Sequence, residues 1–97
     1  MGVHDIVKKY PDRVPVHVTG PDGELQNKYL IPRTMTVSEF MVVLRKRIEV
    51  KSFQAIFIFV KNTLPPNTST FDDLYREHKD DDGMLYMTWS RESTFGA

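Results

Sequence analysis

Residues 36–48 read TVSEFMVVLRKRI and carry the strongest helix signal in the chain. Thr36 and Glu39 have the spacing of a capping box, in which the threonine hydroxyl and the glutamate carboxylate accept hydrogen bonds from backbone N–H groups at the start of a helix. The apolar residues recur mostly at steps of three or four and are Val37, Phe40, Met41, Leu44 and Ile48. This single stripe predicts a helix over 36–50 that packs one face against a sheet.

Two strands are predicted before this helix. In 14–19, three valines alternate with other residues, which is typical of a strand with one buried face. Pro15 has no N–H to donate and therefore suits the edge or the start of a strand. The dipeptide Asp22-Gly23 is a hairpin signal, so residues 28–31, KYLI, are predicted to return as the second strand.

Three further elements are predicted after the helix. The run 55–60, AIFIFV, is apolar throughout, which predicts a central strand buried on both faces. Ser69 or Thr70 is predicted to cap a short helix that ends at His78. Residues 84–89 are predicted to form the last strand.

The predicted order, β-β-α-β-α-β after a helical segment at 3–9, is that of a β-grasp, or ubiquitin-like, fold. We therefore predict an α+β chain with a four-stranded mixed sheet, two helices packed on it and a shortened N-terminal helical stub. At 97 residues the chain has room for one core. Its predicted divisions are a stub over 1–9, a ubiquitin-like domain over 10–91 and a C-terminal conjugation tail over 92–97.

The composition excludes several classes of protein and site. With 40% hydrophobic and 27% charged residues, the chain is not disordered throughout. The absence of cysteine excludes disulfides, thiolate metal sites and thiol nucleophiles. The start has no secretory signal pattern, so we expect a cytoplasmic protein. A net charge of zero argues against nucleic-acid binding, and the basic run at 45–47 is better explained as a solvated helix end.

No pattern for catalysis or cofactor binding is present. None of the three histidines belongs to a local signature with a nucleophile and a carboxylate, so we do not expect an enzyme. The acidic turn at 80–83, DDDG, does not fit a calcium loop, because side-chain ligands are missing at required positions. The five glycines are scattered and form no phosphate-binding loop. We therefore expect neither a metal nor a cofactor.

The C-terminal residues 91–97, RESTFGA, show no apolar periodicity and carry a glycine next to the end. In a β-grasp protein, such a glycine meets the chemical requirement of a ubiquitin-like modifier. Its carboxylate, once exposed, can be adenylated and passed between thioesters, and the missing side chain lets the tail enter a narrow channel. The combination indicates a modifier that reacts through Gly96.

Several motifs together resemble a known family. They are KYPDRVPV at 9–16, KYLIP at 28–32, RKRI at 45–48, IFVKN at 58–62, LY at 74–75, DDG at 81–83, LYM at 85–87 and STFG at 93–96. In these motifs the chain is similar to the ubiquitin-like autophagy modifiers, which include the microtubule-associated protein light chain and the GABA-receptor-associated protein. The resemblance covers about residues 8–96, nearly the whole chain.

The resemblance implies a conjugation mechanism. A cysteine protease is expected to trim the chain after Gly96, removing Ala97 alone, with Phe95 helping to position the tail. An activating enzyme and a conjugating enzyme then carry the Gly96 carboxylate to phosphatidylethanolamine, which places the modifier on autophagosomal membranes. Because these partners supply the catalysis, the resemblance also implies that the chain is not an enzyme.

The resemblance further implies that the second strand docks aromatic-x-x-aliphatic peptides of cargo receptors. The implied aromatic pocket is lined by Ile6, Pro15, His17, Lys28 and Leu30. The implied aliphatic pocket involves Tyr29, Ile31, Pro32, Met35, Phe40, Val43 and Leu44. The residues implied to contact acidic flanks of the peptide are Arg13, Lys46 and Arg47. A peptide-binding module that is never conjugated is the alternative function.

The chain departs from the family's pattern in two respects. The family usually has two helices before its Tyr-Pro or His-Pro step, whereas only seven residues precede Lys8 here. In the implied aromatic pocket, Met84 stands where the family often has an aromatic residue, and His17 replaces the usual aliphatic residue. We therefore expect a softer and more polar pocket.

Overall fold

The computed structural model describes residues 2–23, 26–48 and 55–91, and its helices and strands follow the predicted order. In chain order they are α1 (Val3–Lys9), β1 (Arg13–Thr19), β2 (Asn27–Pro32), α2 (Val37–Arg47), β3 (Phe57–Phe59), α3 (Phe71–His78) and β4 (Leu85–Ser90). A short 3-10 turn, Pro21–Gly23, follows β1. Residues 49–50, predicted to end the long helix, and the predicted tail over 92–97 lie outside the described residues.

The four strands form a mixed sheet in the order β2-β1-β4-β3. β1 pairs antiparallel with β2 and parallel with β4, and β4 pairs antiparallel with β3. The first and the last described strands therefore lie side by side in the middle of the sheet. This topology, with α2 and α3 packed on the sheet, confirms the predicted β-grasp architecture.

The prediction that the run 55–60 forms a central strand is wrong, because β3 lies at the edge of the sheet. Both faces of the run are nevertheless buried, since Ile58 and Phe59 point to opposite faces and are each 3% exposed. A continuous apolar run shows that both faces of a strand are covered. It does not show that strands pair along both of its sides, and here the parallel pair of β1 and β4 occupies the centre.

The core lies between the inner face of the sheet and the helices α2 and α3. The three valines predicted to share one face of β1 are at most 2% exposed. The buried residues of the α2 stripe, each 2% exposed, are Val37, Phe40 and Leu44. Its other two positions, Met41 and Ile48, lie at the margin of the core. The ring of Phe40 meets that of Phe71 edge-on, with centroids 5.3 Å apart, so the apolar stripe of α2 also packs against α3.

Both of these helices begin at predicted caps. Thr36 Oγ1 accepts a hydrogen bond from the backbone N–H of Glu39 at 3.2 Å, and the Glu39 carboxylate accepts one from the backbone N–H of Thr36 at 3.1 Å. Of the two residues predicted to cap α3, Thr70 is the cap, because its hydroxyl accepts from the backbone N–H of Asp73 at 3.2 Å. Local side-chain chemistry therefore sets where each helix starts.

Arg33 joins the end of β2 to two other parts of the fold. Its Nε donates to the carbonyl of Pro11 at 2.7 Å, and its Nη1 donates to the Asp72 carboxylate of α3 at 2.8 Å. The guanidinium carbon lies 5.5 Å from the centroid of the Tyr75 ring. Because the side chains of Arg33 and Asp72 are 29% and 24% exposed, water screens their attraction only in part.

We expect Arg33→Ala to lower the free energy of unfolding by about 1–2 kcal/mol, because it removes both hydrogen bonds and the contact of the guanidinium with the Tyr75 ring. The control, Lys61→Ala, removes an ion pair with Asp80 whose side chains are 53% and 42% exposed. That change should cost about 0.5 kcal/mol or less. Urea unfolding, followed by the fluorescence of the single tryptophan, Trp89, measures both losses. Equal losses in the two variants would contradict the prediction.

Candidate functional site

β2 is the outermost strand on one side of the sheet, and in the described part of the chain no strand pairs with its outer edge. The register with β1 pairs Pro15 with Leu30 and Arg13 with Pro32. In an antiparallel ladder, hydrogen-bonded pairs alternate with pairs whose N–H and C=O groups point away from each other. Because proline has no N–H to exchange, both of these pairs are of the second kind. Leu30, and Lys28 two residues before it, therefore direct their N–H and C=O groups outward from the sheet.

A cavity of about 110 Å³ lies on the outer face of the sheet beside this edge. Its lining residues are Ile6, Pro15, Lys28, Tyr29, Leu30 and Met84. Four of the five residues predicted for an aromatic pocket are in this set, brought together from α1, β1 and β2. Met84 completes the wall of the cavity. Val16 pairs with Leu85 in the parallel register, so the residues before them, Pro15 and Met84, lie beside each other. The resemblance also implied Met84 for this pocket, whereas local spacing does not indicate it, because the parallel register of β1 and β4 places it there.

His17, the fifth residue predicted for the aromatic pocket, is not among the residues that line the cavity. It is half-buried on the outer face, where its ring meets that of Tyr86 edge-on with centroids 5.4 Å apart. Its cross-strand partners are Lys28 on β2 and Tyr86 on β4. Since Lys28 also lines the cavity, His17 borders the pocket without forming its wall.

The residues predicted for the aliphatic pocket divide between the core and the surface. Ile31, Phe40 and Leu44 are at most 3% exposed and belong to the core, so they can shape a surface pocket only from beneath. The partly buried members are Tyr29, Pro32 and Met35. Val43 is 40% exposed and is the member of the set most open to a partner.

Two of the three predicted basic residues, Arg13 and Arg47, contact residues of β2. Arg13 Nη1 donates to the outward carbonyl of Leu30 at 3.1 Å, so its side chain lies along β2. On α2, the guanidinium carbon of Arg47 lies 5.7 Å from the centroid of the Tyr29 ring, and Lys46 is exposed beside it. Positive charges beside β2 favour an acidic partner.

A larger cavity, of about 500 Å³, lies between α1, α3 and the acidic turn. Several of its polar groups are already paired within the fold. Arg33 is bound to Asp72, the Tyr75 hydroxyl donates to the carbonyl of Gly83 at 2.7 Å, and Asp80 is paired with Lys61 at 2.6 Å. We interpret this cavity as a junction between elements and place the candidate site at the smaller cavity beside the open edge.

Comparison with known proteins identifies the family. The family model for "Autophagy protein Atg8 ubiquitin like" matches residues 1–96, almost the entire chain. This chain belongs to the Atg8 family. Autophagy-related protein 8a of Arabidopsis thaliana is 51% identical over 98 residues, covering 95% of this chain and 80% of the relative. Autophagy-related protein 8A of Oryza sativa subsp. indica is 50% identical over 97 residues, covering 95% of this chain and 82% of the relative.

Solved Atg8 structures have the same fold. The crystal structure of Trypanosoma brucei ATG8 matches with a TM-score of 0.83 at 33% identity, covering 97% of this chain and 85% of that one. Plasmodium falciparum Atg8, solved in complex with a Plasmodium falciparum Atg3 peptide, also gives a TM-score of 0.83 at 33% identity, covering 96% and 87%. The predicted fold and the predicted family are confirmed, and this Atg8-family chain is a ubiquitin-like protein of autophagy.

The predicted conjugation residues of this Atg8-family protein, Phe95 and Gly96, lie outside the described residues, as does Ala97. Within residues 2–23, 26–48 and 55–91, no group of three or more His, Asp or Glu residues is placed to hold a metal ion. No helix in these ranges has the length and apolar character needed to cross a bilayer.

In this Atg8-family protein the acidic turn before β4 holds Met84 in place. The Asp82 carboxylate accepts hydrogen bonds from the backbone N–H of Met84 at 2.9 Å and from the Tyr86 hydroxyl at 2.5 Å. Gly83 adopts a φ of +85°, a left-handed conformation open to glycine without steric cost. The hydrogen bonds from Tyr86 and then Met84 lower the pKa of Asp82, and the bond to Asp82 raises the pKa of Tyr86. The turn therefore supports one wall of the cavity.

We expect Asp82 to contribute to the fall in stability at acidic pH. Its pKa in the folded chain is below the ordinary value of 3.8, so its contribution is fully present above that value and is lost as the pH falls through the lower folded pKa. Asp82→Asn should therefore weaken the decline of the unfolding free energy below about pH 4. The control is Asp81→Asn, which changes a carboxylate that makes no hydrogen bond within the described ranges. Urea unfolding across this pH range would contradict the prediction if both variants declined alike.

Proposed function

We propose that this protein is a ubiquitin-like modifier of autophagy that is conjugated to phosphatidylethanolamine through Gly96 and docks aromatic-x-x-aliphatic peptides of cargo receptors. The observation that carries the docking is the open outer edge of β2 beside a cavity of about 110 Å³. Family membership, with a glycine next to the end of the sequence, supports the conjugation. The protein is then cytoplasmic, and on autophagosomal membranes when lipidated.

An extended peptide can pair with β2 because Lys28 and Leu30 direct their N–H and C=O groups outward. Main-chain hydrogen bonds of this kind supply affinity that depends little on the peptide sequence. Specificity comes from the peptide side chains, which alternate between the two faces of the added strand. The aromatic and aliphatic residues of the motif are three positions apart, an odd spacing, and so point to opposite faces. The aromatic side chain enters the outer cavity, and the aliphatic one lies on the side of Tyr29 and Val43.

The basic residues near β2 support acidic flanks in the docked peptide. Arg13 lies along the strand, and Lys46 and Arg47 lie on α2. Such exposed charges act mainly by speeding encounter, and salt weakens their effect. Because Plasmodium falciparum Atg8 has been solved with an Atg3 peptide, we include a peptide of the conjugating enzyme among the proposed partners at β2.

Conjugation is proposed to follow the ubiquitin-like cascade. A cysteine protease first hydrolyses the Gly96–Ala97 peptide bond and releases alanine. The Gly96 carboxylate then attacks the α-phosphate of ATP on the activating enzyme, which forms a mixed anhydride with AMP and releases pyrophosphate. A cysteine thiolate of that enzyme displaces AMP, and a cysteine of the conjugating enzyme then takes over the thioester. Attack by the amine of phosphatidylethanolamine releases this thiol and forms the amide. The modifier contributes the carboxylate, and the partner enzymes contribute the catalysis.

The intact mass of the protein isolated from its own starved cells tests this proposal. Loss of Ala97 together with the added mass of a phospholipid would support conjugation at Gly96. A parallel sample from nutrient-supplied cells is the control, in which we expect a smaller lipidated fraction. Full-length, unmodified chain in both samples would contradict conjugation and leave peptide binding as the function.

A further inference from the structure

The outer face of the sheet carries two adjacent rows of side chains with different chemistry. The first row is apolar, lines the cavity and consists of Leu30, Pro15 and Met84. The second row is polar and consists of Lys28, His17 and Tyr86. Side chains two residues apart along a strand share a face and are about 7 Å apart. Lys28 lines the cavity and also belongs to the polar row, so the two rows meet at the cavity. An aromatic ring bound there would lie against the apolar row, and its far end could reach the polar row.

His17 has hydrogen-bonding capacity that the described fold does not use. The Tyr86 hydroxyl is already bound to Asp82, whereas within the described ranges no hydrogen bond engages either ring nitrogen of His17. The imidazole is half-buried, and the ring of Tyr86 packs against it. A partly desolvated polar group without a partner favours a ligand that supplies one.

We propose that His17 makes this site prefer tyrosine as the aromatic residue of a docked peptide. The inference rests on the proposed docking at β2. The phenol ring lies against the apolar row, and its hydroxyl bonds to His17. Because a hydroxyl both donates and accepts, it can pair with either tautomer of a neutral imidazole. Phenylalanine fills the same apolar space and leaves the imidazole unpaired.

The size of the cavity also favours one aromatic ring over two. Its volume of about 110 Å³ is small beside the roughly 300–1,000 Å³ of pockets that hold drug-sized ligands. An indole needs more room than a phenol, and its N–H can only donate. Tryptophan is therefore expected to rank below tyrosine at this position.

Titration of the full chain with three peptides that differ only in Tyr, Phe or Trp at the aromatic position tests the inference. We expect the tyrosine peptide to bind about 3- to 10-fold more tightly than the phenylalanine peptide, as for one net hydrogen bond. His17→Val should abolish this ratio and keep the affinity for the phenylalanine peptide. His17→Gln retains a donor and an acceptor and should keep most of the ratio. The control Tyr86→Phe removes only a hydroxyl already bound to Asp82 and should also keep it.

The possible results distinguish the tyrosine preference, the role of His17 and docking at β2 from one another. Equal affinities of the native protein for the tyrosine and phenylalanine peptides, or tighter binding of the tryptophan peptide, would overturn the tyrosine preference while leaving docking intact. A ratio that persists in His17→Val would overturn the role of His17. If none of the three peptides binds the native protein, docking at β2 fails, and the inference fails with it.

Discussion

Gly96→Ala is expected to slow conjugation by about 100-fold or more and to leave the fold and peptide binding unchanged. In the proposed cascade the Gly96 carboxylate reaches an activating site and then two thiols. An added methyl group at the reacting residue would displace that carboxylate in a channel that fits a bare backbone. A displacement of about 1 Å can cost this much in rate. The rate is measured as the lipidated fraction over time in a reaction with the cascade enzymes and vesicles that contain phosphatidylethanolamine.

Two variants of the same tail separate this effect from a general disturbance. Ser93→Ala removes a hydroxyl three residues before the reacting glycine and should be conjugated at the native rate. A chain that already ends at Gly96 should be conjugated without the protease, which separates trimming from transfer. Native-rate lipidation of Gly96→Ala would overturn the proposed mechanism.

Leu30→Asp is expected to weaken binding of an aromatic-x-x-aliphatic peptide by at least about tenfold. Leu30 is 36% exposed and forms one wall of the outer cavity, so its side chain is accessible to a peptide. The aspartate would replace an apolar wall with a carboxylate, which loses its hydration and makes no favourable contact with the docked aromatic ring. Residues at the centre of an interface commonly carry a loss of this size. Fluorescence anisotropy with a labelled peptide measures the affinity.

Leu64→Asp is the matched control for this variant. Leu64 is an exposed leucine at 51%, and it follows β3, at the opposite edge of the sheet. Its replacement should leave the affinity of the peptide at β2 within about twofold of the native value. Equal weakening in both variants would place the peptide elsewhere or show that the substitutions act through the fold.

The elements that the sequence predicted correctly are those set by short-range chemistry. The capping box of Thr36 and Glu39 begins α2 because its two hydrogen bonds span three residues and need no other part of the chain. The alternation of valines in β1 marks the buried face for the same reason. The apolar run around β3 led to the wrong prediction of a central strand. Such a run shows that both faces of the strand are covered, whereas the position of the strand in the sheet depends on distant pairing partners.

The residues of the candidate site were predicted in part from the family resemblance and in part became visible only in the structure. The resemblance implied Ile6, Pro15, Lys28, Leu30 and Met84 for an aromatic pocket, and the structure brings these five residues to one cavity. The resemblance could not show that Phe40 and Leu44 are buried in the core, because the exposure of a side chain depends on packing. The spacing of residues along the sequence does not by itself place Met84 beside this cavity.

The sequence alone established the helix starts, the buried faces and the order of elements, because each is encoded within a few neighbouring residues. Tertiary structure placed β4 beside β1, left the outer edge of β2 unpaired by any described strand and brought His17 to the border of a pocket. The place of β4 depends on pairing between segments about 70 residues apart, such as Val16 with Leu85, and local patterns do not specify such pairing.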